Sequence, residues 1–344
     1  MDKPILPAET FWSLPKVDLH RHLEGSLRLS TMMEIARKFG LTLPTTSYLR
    51  SLVQVQSDEE FSFRNFLSKF QTLRLFYRTP EIITRITREA IADAAADNLL
   101  YMELRFTPVA LSREQGFALG DVIDWVCASA KQASKDFGIN TKLIVSVNRH
   151  EPVALAEEIA QLAIDRISQG IIGLDLAGNE AEFSPKPFAP LFLQAKQSGL
   201  HITIHAGEWS GAESVRYAIE GMGAERIGHG VRVMEDSSVV ALARERDIYF
   251  EVCITSNYQT GVVLKLANHP LPVMFSKRLK LGIFTDDPSI SQITLSGEYQ
   301  KAHNELGISI GNLQQIILGA VQAAFLPEIE RWALITRFRE ALAE

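Results

Sequence analysis

The chain has 344 residues, 46% of them hydrophobic, enough to bury a large core. Its 35 Lys and Arg against 41 Asp and Glu give a net charge of −6, which argues against an electrostatic hold on nucleic acid or an anionic membrane and leaves a small molecule as the expected partner. With only two cysteines, Cys127 and Cys253, neither a disulfide framework nor a thiolate-rich zinc site is available, so any metal must be held by histidine and carboxylate.

The first segment, MDKPILPAETFWSLPKVDLH, lacks a basic stretch followed by an apolar core and a small-residue cleavage site. No long uncharged apolar run occurs later, so a cytoplasmic protein is expected. The first β-rich run, 17–23, reads VDLHRHL. His20 and His22 stand two apart, so in a strand both point to one face, and inside a barrel two imidazoles on that face can share a metal. An isolated pair of this kind is as often two ordinary polar residues at a strand end.

A strongly helical stretch follows, about 26–98, including 61–77 and the alanine-rich 80–98. It is expected to be an insertion above the first strand and to act as a lid. Phe63, Phe66, Leu67 and Phe70 form an apolar face in it, which belongs either to the helix core or over a planar base. Further strand-like runs come at 101–107, 143–148, 173–178, 201–205, 226–229, 249–254 and 279–285. Between them lie helical patterns at 122–137, 154–169, 188–197, 213–219 and 237–246, and the stretch 312–344 reads as helices closing an outer ring. Eight strand–helix units without a low-complexity linker or a fixed-length repeat predict one α/β domain over 1–344, a closed (β/α)8 barrel, rather than two doubly wound domains.

The carboxyl ends of all eight strands meet at one face of such a barrel, so residues far apart in sequence become neighbours there. His205 in HITIHAGE, His229 in RIGHGV and Asp286 in GIFTDDPS each follow an apolar run and would join His20 and His22 there. Four of the eight histidines converging with an acidic pair point to a metal, and nitrogen and oxygen donors suit zinc. Glu208 lies three residues past His205 across Ala-Gly, where a sharp turn aims it over the metal as a general acid or base. The residues alone leave His229 open between ligating the metal and acting on its water. They also leave Asp286 and Asp287 open between metal and substrate. Gly178 allows close approach of a ligand to the backbone. His150 falls on the correct rim without a sequence partner, and His201, His269 and His303 read as structural.

Taken together, PKVDLHRHLEGSL, YMELRFTP, GLDLAGNE, HAGE, RIGHGVR and GIFTDDPS resemble, in content and order, the motifs of the adenosine deaminase family. The resemblance runs from about Pro15 to Pro288. It implies a (β/α)8 barrel with one zinc ion per chain held by His20, His22, His205 and Asp286. It further implies Glu208 as proton donor to purine N1 and His229 orienting or deprotonating the attacking water. Substrate contacts would come from His22, Glu24, Gly178 and Asp287, the last at N7. The implied reaction is hydrolytic deamination of adenosine or 2′-deoxyadenosine, and the implied partner a purine nucleoside or base.

Two departures stand out. LEG replaces the more familiar LDG, so Glu24 brings one extra methylene to the sugar contact and keeps adenine, aminodeoxyfutalosine or an N6-substituted nucleotide open as substrates. LAGNE puts Asn179 where an acid is frequent. No glycine-rich phosphate loop or dense cationic cluster accompanies the site, only lone arginines such as Arg74 and Arg105. The fourth strand ends Asp175-Leu176-Ala177-Gly178 without a lysine to bridge two metals, which favours one metal. Intact Glu208, His229 and Asp286 speak against a non-catalytic purine-binding barrel.

Overall fold

The computed structural model describes residues 6–42 and 45–343. Strands β1 (Lys16–His22), β2 (Leu99–Phe106), β3 (Asn140–Asn148), β4 (Ile171–Ala177), β5 (His201–Ala206), β6 (Arg226–His229), β7 (Tyr249–Val252) and β8 (Lys280–Ile283) pair in parallel and in sequence order. The ring closes where Asp286 meets β1: the His22 amide donates to the Asp286 carbonyl at 2.8 Å, and the Asp286 amide to the His20 carbonyl at 2.7 Å. The result is a (β/α)8 barrel, with helices between successive strands.

The strands alternate between two faces. Outward residues such as Val17 and Leu19, Leu104 and Phe106, Leu174 and Leu176, and Ile202 and Ile204 are fully buried apolar groups under the helices. Most inward residues are polar, and Glu103, Arg105, Ser146, Asp175, Thr203, Arg226 and Glu251 bond to one another across the lumen. The barrel is therefore filled by a buried charge network beneath its carboxyl face.

Two strands stop two residues short of their expected ends. β7 ends at Val252 because Cys253 already leads into a short helix, Ile254–Gln259. β8 ends at Ile283, so Asp286 and Asp287 lie beyond the ladder, and Pro288 opens the helix Pro288–Ser291 instead of terminating the strand.

Four helices occupy most of the stretch between β1 and β2: Leu29–Phe39, Thr46–Val53, Phe63–Leu73 and Pro80–Ala96. The last is capped by the Thr79 hydroxyl, which accepts from the Ile82 amide, and has Pro80 in its first turn. It buries Ile83, Ile86, Ala90 and Ala94 at three- and four-residue spacing and packs against Leu119–Phe137, a helix of the outer ring. The stretch expected as one insertion thus divides: its final helix is the regular crossover from β1 to β2. The helix Phe63–Leu73, capped by Ser62, reaches the mouth of the barrel. Among the described residues no helix is long and apolar enough to cross a membrane.

Candidate active site

A cavity of about 420 Å³ opens at the carboxyl face. Its floor carries His22, Glu24, Glu208, His229, Asp286 and Asp287, its roof Phe66, Leu67 and Phe70 from the helix Phe63–Leu73, and its wall Gly178. Phe63 does not reach the cavity; its ring stacks on Trp209 at 5.0 Å between centroids and pins the start of the roof helix to the loop bearing Glu208.

Four side chains, His20, His205, His229 and Asp286, each offer a ligand atom within 4.8 Å of the others. His22 joins them, its Nε2 3.3 Å from both Asp286 Oδ1 and His205 Nε2, while His20 Nε2 is also 3.3 Å from Asp286 Oδ1. Ligands at about 2.0–2.1 Å from a tetrahedral zinc stand about 3.3 Å apart, so these three separations fit a common ion.

Hydrogen bonds behind the rings sort the histidines. His20 Nδ1 donates to Glu251 at 2.7 Å and His205 Nδ1 to Asp175 at 2.9 Å, which leaves each Nε2 lone pair free for a metal. His20 Nε2 is fully buried and has no hydrogen-bond partner. His229 has the opposite polarity. His269 Nδ1 accepts from the Leu271 amide, so its Nε2 donates to Asn257 Oδ1 at 3.3 Å. The Asn257 amide therefore donates to His229 Nδ1 at 3.1 Å. Neutral His229 then carries its proton on Nε2, facing the cavity, and cannot ligate through that atom. His22 is accordingly the better third imidazole.

Burial and charge set the protonation of the acids. Desolvation, reinforced by Asp286 and Glu180, pushes the Glu208 carboxyl well above its ordinary range. Desolvation and the charges of Asp286, Glu24 and Glu208 do the same to Asp287. Burial alone would raise Asp286 too, but the adjacent His20 imidazole and the neighbouring His229 and His22 pull it well below the usual value. Burial pushes Glu24 up to about 7, against the pull of its hydrogen bond from the Thr107 amide at 2.7 Å. Burial also holds His22 and His229 well below the normal imidazole value.

Backbone geometry is forced locally. His229 and Asp286 have φ of 60° and 61°, a left-handed conformation that costs a non-glycine residue energy and gathers at functional sites. A Cβ on Gly25 would stand 1.8 Å from Asp287 Oδ1, and one on Gly228 would stand 3.0 Å from His20 Cε1. Those glycines let the strand ends crowd together.

Several residues around the site carry no sequence signature. Glu251 takes hydrogen bonds from His20, Thr203, Arg105 and Arg226, and the two arginines hold it ionised against its desolvation. Arg105, one of the lone cations near the motifs, is buried beneath the histidine–aspartate cluster between Glu251 and Asp175 and is closed to substrate. His269, read as structural, is the far end of the chain that orients His229. Asn179 lines the cavity and turns its side-chain oxygen to the Glu182 amide at 3.2 Å; His150 lines it as well.

A model of the adenosine deaminase family matches residues 15–341. The adenosine deaminase of Klebsiella pneumoniae strain 342 is 38% identical over 328 residues, covering 94% of this chain and 98% of its own length. Among solved structures, an adenine deaminase from Arthrobacter aurescens superposes with a TM-score of 0.88 at 26% identity, over 96% of this chain and 100% of its own. The Arabidopsis ADAL protein complexed with IMP gives 0.87 at 28%, over 97% and 99%. With the motifs in order, the ligand cluster at the carboxyl face and a match over nearly its whole length, the chain belongs to the adenosine deaminase family of metal-dependent amidohydrolases.

Proposed function

We propose that this chain hydrolytically deaminates adenosine or 2′-deoxyadenosine, with one zinc ion held by His20, His22, His205 and Asp286. The observation that carries the reading is the set of 3.3 Å separations among their ligand atoms, with Glu208 kept protonated alongside. Zinc bound there supplies a Lewis acid that brings the pKa of a water toward neutrality.

The side chains divide the remaining work. Glu208 delivers its proton to purine N1 as the oxygen of a water adds to C6; of that water's two protons one restores Glu208 and the other passes to the 6-amino group, which leaves as ammonia. His229 donates a hydrogen bond from its Nε2–H to the incoming oxygen and orients it, rather than starting as a free base. Purine N7 is an acceptor, so its partner Asp287 must be protonated to bond it, and the raised pKa of Asp287 meets that need. Gly178 brings backbone to the edge of the base. Phe66, Leu67 and Phe70 cover its face and exclude water.

Metal-replete protein should convert adenosine to inosine with one ammonia released per turnover and contain one zinc per chain. Chelator dialysis should abolish the activity and zinc should restore it. Absence of ammonia release from the metal-replete protein would sink the proposal.

A second reading, a 6-aminopurine nucleotide as substrate, is favoured by Arg74. This residue lines the cavity near Glu24, and its Nε is buried without a hydrogen-bond partner. One Glu24 oxygen is already engaged by Thr107, which leaves a sugar hydroxyl less to bind. The Arabidopsis relative is complexed with a nucleotide, IMP. Relative kcat/KM for adenosine, adenine, AMP and N6-methyl-AMP decides between the two readings.

A further inference from the structure

Glu208 owes its place to the turn that follows β5, and that turn is held by one buried carboxylate from another loop. Glu180, two residues past Gly178 and only 5% exposed, accepts five hydrogen bonds from this turn and the helix after it. Its Oε1 takes the Gly207 amide at 2.7 Å and the Ser214 hydroxyl; its Oε2 takes the amides of Glu208 at 3.0 Å, Trp209 at 2.7 Å and Ser210 at 3.0 Å. Four consecutive N–H groups thus converge on a single anion. On the other side of the same turn, buried Arg149 donates to the His205 carbonyl. A carboxylate is not required to satisfy buried amides, since a neutral side-chain oxygen accepts from them as well. Convergent N–H groups on a charged acceptor make a stiffer anchor, because each bond is charge-assisted.

We propose that Glu180 is a positioning residue for catalysis: by gripping the amides of residues 207–210 it fixes the Glu208 carboxyl where it meets the substrate ring nitrogen. The proposal rests on the deaminase reading above. Proton delivery requires hydrogen-bond reach, and displacement by about 1 Å costs of the order of a hundredfold in rate.

The test is a double-mutant cycle with Glu180→Gln and Glu208→Gln in the zinc-loaded enzyme. Glutamine keeps one acceptor oxygen but turns an NH2 toward amides that had an acceptor. Glu180→Gln should lower kcat about thirty- to a hundredfold, leave adenosine KM nearly unchanged and retain one zinc per chain. Added to Glu208→Gln it should cost less than about twofold, because once the carboxyl of Glu208 has been replaced by an amide there is no acidic proton left to misplace. Glu180→Asp keeps the charge and should recover part of kcat.

A kcat within about twofold of wild type, loss of zinc together with kcat, or full multiplication of the two effects would each overturn the proposal. If Glu180→Gln does not fold, Glu180→Asp carries the same readings, and failure of both to fold assigns Glu180 a purely structural role. Wild-type turnover reads the proposed function separately. An active wild type with an indifferent Glu180→Gln removes only Glu180, whereas a wild type inert toward every 6-aminopurine removes the deaminase reading and this inference with it.

Discussion

At the scale of single residues, the site works by assigning each proton a place. His20 and His205 are turned outward by carboxylates behind them, while His229 is turned the other way by an amide. Asn257→Asp tests this polarity. An ionised aspartate can only accept, so it draws the His229 proton to Nδ1 and presents a bare Nε2 to the cavity. We expect kcat to fall about a hundredfold or more, as a wrong tautomer does in other histidine-dependent sites. Asn257→Ala, which leaves Nδ1 without a directing partner, should fall between. Wild-type turnover in Asn257→Asp would show the assignment to be wrong. The residues proposed as ligands could be picked out in the sequence because His205 and Asp286 end apolar runs and His20 and His22 share a strand face. Asn257 and His269 could not, because no spacing in the chain connects them to His229.

At the scale of elements, the alternation of the strands carried most of the fold. Runs such as VDLHRH and HITIH place apolar side chains under the helices and polar ones in the lumen, and those runs lie within a few residues of β1 and β5. What alternation hid was the partner of each inward polar group. Glu251 reads as one acid in an apolar strand, yet it binds residues of β1, β2, β5 and β6. The ends of β7 and β8 were also hidden, because the bend at Cys253 and the closure at Asp286 are imposed by neighbours rather than by local propensity. The roof helix was visible as a stripe of aromatics, but which of them face the cavity depends on its docking: Phe66, Leu67 and Phe70 do, Phe63 does not. Leu67→Ala should therefore raise adenosine KM about tenfold with a smaller change in kcat, since it removes apolar contact made equally before and during reaction. A fall in kcat with unchanged KM would instead give the roof a role in the chemical step.

At the scale of the whole molecule, the buried charge network trades stability for placement. Arg226 bonds Glu251 at 2.7 Å, reaches Glu103, and lies 3.6 Å from the centroid of the Phe325 ring. Arg226→Met leaves two buried carboxylates short of a partner and should destabilise the fold by about 3–5 kcal/mol, read as a lower urea midpoint at constant m. Pairing it with Glu103→Gln should recover part of that loss. An unchanged midpoint in the single variant would mean that the lumen charges are not coupled as the geometry indicates.

The seam at which the ring closes has a consequence in time as well as in space. His20, His22 and Asp286 are joined amide to carbonyl across the junction of the first and last strands, so the ligands proposed for the metal are also the clasp. A chain emerging from the ribosome holds both histidines almost from the start but must wait for nearly its full length before it can fasten them. Ion capture at the proposed site should then report completed closure rather than seed it. In the metal-free protein this junction is where opening should begin, with the amide hydrogens of His22 and Asp286 exchanging earlier than those between β3 and β4. Loading with zinc should slow those two amides most of all.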